Sequence, residues 1–332
     1  MRYYDITIHK ENNMVKKLLI ASIATATLFA GGVTKLDLNA KYGATNFHTK
    51  GAENFAKLVD KYSKGTVKIT VHAGSSLVKG NPLKAVKDGT APMTDMFIPF
   101  TSGGGKVFGI SALPFVANSY DDAYKLYQLS KPAYDAVAKK WNQKMLYAVT
   151  WPPSGIYTKK AINSTKDFAG VKARTYDKNS ANFVKMAGGN AVALPWGEVY
   201  SALQTGMVNG VVTSSASGKD GKLWEVLTNF TKINYAYPLQ AVTINLDYWN
   251  ALSAEQKDAI LKAAKETEVA QWEASKAEDA VALKTLAEHG MKIDEASHML
   301  KTELNKVSKE LLDAYLKDAG DDVKKIFAEY NK

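Results

Sequence analysis

The chain has 332 residues, 46% of them apolar and 23% charged, an ordinary globular composition that excludes a disordered, collagenous or low-complexity protein. It holds no cysteine, which removes disulfides, zinc–thiolate centres, thiol catalysis and lipidation at cysteine. The formal charge is +10, yet the only arginines are Arg2 and Arg174; the other basic residues are lysines spread among acids. Nucleic-acid binders cluster arginine and interleave aromatics, so this charge reads as a solvated lysine surface and no nucleic-acid partner is expected.

Lys16 and Lys17 precede an apolar stretch from Leu18 to Phe29, followed by Ala30, Gly31 and Gly32. A positive start, a short apolar run and small residues at its end describe a cleavable secretory signal. The run is shorter than the roughly 20 residues of a spanning helix. Met14 is a candidate start, because residues 1–13 are polar and mixed in charge. Residues 1–32 carry a net +2, so the exported, soluble, periplasmic chain expected beyond them is near +8.

Strands and helices then alternate. A strand over 36–43 leads to a loop from Thr45 to Lys50 and a helix over 51–62. Val67, Ile69 and Val71 alternate as a strand. A short helix over 83–87, a strand over 93–98 and a flexible loop at Ser102–Gly105 follow. A helix runs from about Ser119 to Trp141, then a strand from 145 to 150. Beyond a strand at 171–174, Asn179 is placed to cap a helix ending at Gly188-Gly189, and Pro195 to open one ending at Gly206. Strands are expected at 208–213 and 241–246. Ser253 and Gln256 form a capping box before a helical pattern that reaches His289-Gly290 without Gly or Pro. Such a helix would be roughly 50 Å long, enough to brace two domains. A last helical region occupies 297–330. The order predicts an α/β protein with a largely parallel sheet.

Catalytic motifs are missing. Phe108 stands where a dinucleotide fingerprint needs its third Gly, and no P-loop, His-Glu-x-x-His or Gly-x-Ser-x-Gly is present. Asp177 and Asn179 begin like a calcium loop, but Ala181 falls on the third ligand position. His48, His72, His289 and His298 lack metal-ligand spacing. No metal, cofactor or catalytic residue is expected.

Arg174 stands out in a chain that writes lysine almost everywhere. Its planar fork suits a carboxylate gripped bidentately, and ligands of α/β sheets sit beyond the carboxyl ends of strands. A structural bridge to a protein carboxylate is the competing reading. Trp151, in Trp-Pro-Pro-Ser154, and Trp196 lie at element ends, with Tyr157 and Tyr176 near candidate cleft loops. Together they suit a small organic anion with an apolar body, although core packing explains each tryptophan alone.

Asp167-Phe-Ala-Gly-Val-Lys-Ala-Arg174 resembles a conserved segment of the solute-binding proteins of tripartite ATP-independent periplasmic (TRAP) transporters, the DctP family. So does the block from Met186 through Pro195-Trp-Gly-Glu198-Val-Tyr200 to Gln204-Thr-Gly206 and Asn209-Gly210. Val86-Lys-Asp-Gly89, Asp95, Leu113-Pro-Phe115 and the loop bearing His48 are similar to the family's N-terminal part.

The resemblance implies a two-lobed periplasmic binding protein fold, each lobe a mixed sheet flanked by helices, with a long helix bracing both. The expected division is 1–32 for extension and signal, 33–151 plus 240–278 for the first lobe, and 152–239 plus 279–332 for the second. The resemblance also implies Arg174 on the ligand carboxylate, Trp196 lining the pocket and Thr213 as a polar contact. Asn46, His48, Phe97, Ser154 and Ser214 complete the candidate ligand-binding set. The family has Asp where this chain has Asn209, a packing change, and sialic-acid-binding members carry a second arginine near Ser154. Expected partners are a small organic acid and the small and large membrane subunits of a TRAP permease, with the receptor a monomer. A binding protein of another importer class, a ligand sensor and a periplasmic enzyme remain as alternatives.

Overall fold

The computed structural model describes residues 32–78 and 80–332. The signal-like segment lies outside the described residues.

The first lobe begins with β1 (Thr34–Asn39), α1 (Phe47–Tyr62), β2 (Val67–His72), α2 (Pro82–Lys87) and β3 (Met93–Phe97). Helix α1 starts earlier than expected, because the Asn46 side chain accepts from the His48 backbone N–H and caps it, so the Thr45–Lys50 loop is mostly helix. After β3 the chain makes two 3₁₀ segments, Ile98–Gly104 and Lys106–Ala112. Two glycines where they meet, Gly104 and Gly105, are required by close packing. A Cβ on Gly104 would lie 2.7 Å from Leu83 and one on Gly105 2.6 Å from Val137. Helix α3 (Tyr120–Lys140), capped by Ser119, and β4 (Gln143–Thr150) complete this stretch.

The chain then crosses into the second lobe: β5 (Ser154–Thr158), β6 (Lys172–Thr175), α4 (Lys178–Met186), β7 (Asn190–Ala193), α5 (Val199–Gln204), β8 (Gly210–Ser214), α6 (Ser215–Asp220) and β9 (Asn229–Lys232). Asp177 caps α4, not Asn179: its carboxylate accepts from the Ser180 N–H at 2.8 Å. The expected helix at Pro195 is a 3₁₀ turn, Trp196–Glu198, leading into α5.

A return crossing brings β10 (Leu239–Asn245), α7 (Leu246–Ala251) and α8 (Ala254–Glu288), followed by β11 (Lys292–Glu295), α9 (His298–Lys317) and α10 (Asp321–Tyr330). The first sheet has the order β2-β1-β3-β10-β4 and the second β11-β9-β5-β8-β6-β7. Both are mixed rather than largely parallel. β10 runs antiparallel to β3 and β4, and β5 antiparallel to β8 and β9.

Helices cover both faces of the second sheet. Val211 and Val212, adjacent on β8, point to opposite sides and enter separate apolar clusters. The first sheet shares one core with α1, α3 and the first half of α8. The capping box on Ser253 and Gln256 is present, and α8 runs for 35 residues. Ile260, Ala264 and Trp272 pack in the first-lobe core, whereas Leu286 packs in the second. Helix α9 does the same in reverse: Leu300 and Leu304 lie in the second lobe, Leu312 and Leu316 against the first. Helix α10 buries Val323, Ile326 and Phe327 in the first-lobe core, so the chain's end differs from a 279–332 segment held wholly by the second lobe.

The strand crossings are hydrogen-bonded to each other. The Trp151 N–H donates to the Pro238 carbonyl, and Ser154 exchanges backbone bonds with Tyr235 and Ala236.

Candidate functional site

Between the lobes lies a cavity of about 90 Å³. The second lobe supplies Arg174 from the end of β6, Thr213 and Ser214 from the end of β8, Ser154 and Tyr176. β6 and β8 are parallel, so their carboxyl ends open to the same side. Trp196 follows the bend Leu194-Pro195 and lies with its ring 5.5 Å from the Arg174 guanidinium carbon. The first lobe contributes Lys41, Tyr42, Phe97, Phe100 and Trp151.

Arg174 is 6% exposed. Its Nε donates to the Leu194 carbonyl at 3.1 Å, which fixes the plane of the fork. Among the described residues no carboxylate pairs with it and its Nη groups make no hydrogen bond. The structural-bridge reading therefore fails. Burial pushes its pKa down to about 10, with nearby tyrosines and Asp177 opposing, so it stays a cation at neutral pH. A buried, unpaired cation is costly, and a carboxylate in the cleft removes that cost.

The lobes touch around this cation. Phe97 meets Tyr176 edge-on with ring centres 5.3 Å apart, and the Tyr176 hydroxyl lies 3.3 Å from the Ser154 hydroxyl. Asn46 donates across the gap to Asp220 at 2.7 Å, and Asn179 to the Gly109 carbonyl at 3.1 Å.

Eight of the expected residues thus line one cavity: Arg174, Trp196, Thr213, Trp151, Phe97, Ser154, Tyr176 and Ser214. Three stand off it. The Asn46 amide is used by the helix cap and by Asp220. His48 lies behind Trp151, its ring tilted 55° to the indole with centres 4.4 Å apart, and burial keeps it neutral. Tyr157 points into the second-lobe core, stacked on Phe230 with its hydroxyl donated to the Ser214 carbonyl. Lys41, Tyr42, Phe100 and Ser217 were not anticipated. Lys41 and Tyr42 follow the carboxyl end of β1, the same kind of position that marked Arg174.

Beneath the first-lobe wall, Trp151 donates from Nε1 to Gln240 at 3.3 Å, and Gln240 donates in turn to Asp95. Asp95 is 2% exposed, and its other oxygen has no partner. Burial pushes its pKa up to about 7 against the pull of Lys41. A carboxyl whose pKa rises on folding favours the folded state most below about pH 4. That contribution is lost as the pH climbs through about 7. Asp95→Asn should therefore flatten the profile of melting temperature against pH in this window, measured without ligand. Asp177, raised to about 6 by burial, supplies a remaining slope. An unaltered profile would refute the assignment.

Residues 39–318 match the family described as bacterial extracellular solute-binding protein, family 7, DctP. DctP6 of Bordetella pertussis, an extracytoplasmic solute receptor binding pyroglutamic acid, superposes with a TM-score of 0.87 at 32% identity, covering 90% of this chain and 99% of its own. A TRAP solute-binding protein from a marine metagenome, specific for pyroglutamate and solved with the co-purified compound, superposes at 0.86 with 33% identity over 90% and 99%. The sialic acid-binding periplasmic protein SiaP of Vibrio cholerae is 24% identical over 294 residues, 86% of this chain and 89% of its own. The chain belongs to the DctP family and is a solute receptor of the TRAP type.

Proposed function

We propose that this receptor captures a compact organic acid carrying one carboxylate and a small ring, with pyroglutamate the leading candidate, and delivers it to the two membrane subunits of a TRAP permease. The observation that carries this reading is Arg174, a buried guanidinium lining the cavity that makes no ion pair among the described residues. Trp196, Phe97 and Trp151 offer apolar faces for a ring, and Thr213, Ser214 and Ser154 offer hydroxyls. A cavity of about 90 Å³ with Ser154 at the upstream position, and so no second arginine, disfavours a sialic acid. The pyroglutamate receptors at 32% and 33% identity support the same ligand class. No bond is made or broken in this role, and we assign no catalytic residue.

Mass spectrometry of small molecules released by denaturing the purified protein tests the reading. A carboxylic acid of this size, returned chemically unchanged, is expected; a neutral sugar, a metal chelate or a processed product would refute it. The receptor works in the periplasm after losing its leader. N-terminal sequencing of the exported protein should begin near residues 31–33, and finding Leu18–Phe29 retained would overturn that proposal.

A further inference from the structure

The cleft has a second cation with its own acid. Lys41 leaves β1 where that strand pairs in parallel with β3 up to Asn39 and Thr94, which sets it beside Asp95. It reaches the cavity, with its ammonium 5.4 Å from the centre of the Phe100 ring. Asp95 lies on the same face of β3 as Phe97, two residues on, and Phe97 forms the cavity wall. Asp95 is therefore one layer behind that wall, bound through one oxygen to Gln240 and with its second oxygen unpartnered and buried.

We propose that Lys41, with Asp95 behind it as counter-ion, limits the cleft to ligands with a single carboxylate. This deepens the reading in which a carboxylate sits on Arg174. Two cations line the cleft, and each has an acid behind it: Asp95 acts on Lys41 and Asp177 on Arg174. Arg174 makes no ion pair among the described residues, so its fork is open to one ligand carboxylate, whereas Lys41 already faces the Asp95 charge. A second carboxylate near Lys41 must face the Asp95 anion in a site shielded from water, where charges several ångströms apart matter by a factor of ten or more. The dianion fits only when Asp95 takes up a proton, so its binding is linked to pH.

Among the described residues Lys41 is the cation that acts on Asp95. From the end of β1 Asp95 faces Lys41 and Tyr42, from β4 Tyr147, and from β10 Gln240; the buried side chains of α2 are apolar. Burial pushes the Asp95 pKa up to about 7, while the nearby Lys41 charge and backbone N–H pull it down; the Lys41 pKa is itself lowered by burial and by Arg174.

The test compares glutarate with pyroglutamate, which have equal numbers of heavy atoms and differ in the second carboxylate. Calorimetric titration of wild type and Asp95→Asn at pH 6 and pH 8 gives the ratio of the two affinities. At pH 8 the ratio should move toward glutarate by about tenfold or more in Asp95→Asn. In wild type the ratio should move the same way from pH 8 to pH 6, and in the variant this pH effect should vanish. Adding Lys41→Met to Asp95→Asn should cancel the gain, since no cation then receives the second carboxylate. Melting without ligand checks that each variant folds, and Lys41→Met alone should show weaker glutarate binding if Asp95→Asn does not fold. An unchanged ratio, a gain that survives Lys41→Met, or no glutarate binding to folded Asp95→Asn at millimolar concentration overturns the proposal. Failure of wild type to bind pyroglutamate strikes the ring-acid reading instead, and the glutarate measurements still decide the role of Asp95.

Discussion

Arg174→Ala should weaken binding of the carboxylate ligand by about two to four decades. Breaking a buried ion pair by removing one partner costs roughly 3–5 kcal/mol, because the other charge stays uncompensated, and each 1.4 kcal/mol is about a decade. Arg174 fits that case: it is 6% exposed, its fork is oriented by the Leu194 carbonyl, and its outer nitrogens face the cavity. Arg174→Lys should recover only part of the loss, since an ammonium cannot present two parallel donors to a carboxylate. The empty protein should respond in the opposite sense. Among the described residues no acid forms an ion pair with Arg174, so Arg174→Met, which keeps the aliphatic packing on Trp196, should melt no lower than wild type without ligand. A change in affinity under about tenfold for Arg174→Ala would end the carboxylate assignment.

Trp151→Ala should lower the stability of the empty protein by about 3–5 kcal/mol, the usual range for truncating a buried large aromatic. Trp151 is 3% exposed although one face lines the cavity. Tyr42, Phe47 and His48 surround its ring at centre distances of 4.9, 5.2 and 4.4 Å. Its backbone N–H ties the outgoing crossing to Pro238, and its indole N–H ends on Gln240. The residue therefore belongs at once to the core, the crossing between the lobes and the ligand wall. Calorimetry without ligand should show a melting temperature lower by on the order of 10 °C. Trp151→Phe should fall between, since it keeps much of the packing but leaves the Gln240 oxygen without its donor. A tryptophan that served only as a wall would instead lose affinity at constant melting temperature.

The contrast between Arg174 and Lys41 explains what the sequence disclosed. Arg174 was visible because arginine is rare in this chain and ends a distinctive strand motif. Lys41 occupies an equivalent position but is hidden among the many lysines, and its strand was expected to run past it to residue 43. Trp196 and Thr213 were legible through the family resemblance, and Ser214 ends the same strand as Thr213. Tyr157 was misplaced for a periodic reason: β5 is buried on both faces, so no alternation tells which side each residue takes. β7, β9 and β11 have four residues each, too few for either period to register. The antiparallel insertion of β10 is a pairing choice between distant segments, and local pattern carries no record of it.

That insertion also governs when the protein can fold. β10 lies between β3 and β4, so residues 239–245 fill a gap in a sheet whose other strands end by residue 150. Helix α10, at 321–330, then adds the last apolar layer against α3. A chain emerging N-terminus first cannot complete its first core until its final residues are out, and such long-range closure is slow. In the export route proposed above this delay is useful: topology withholds premature folding until the whole chain is available.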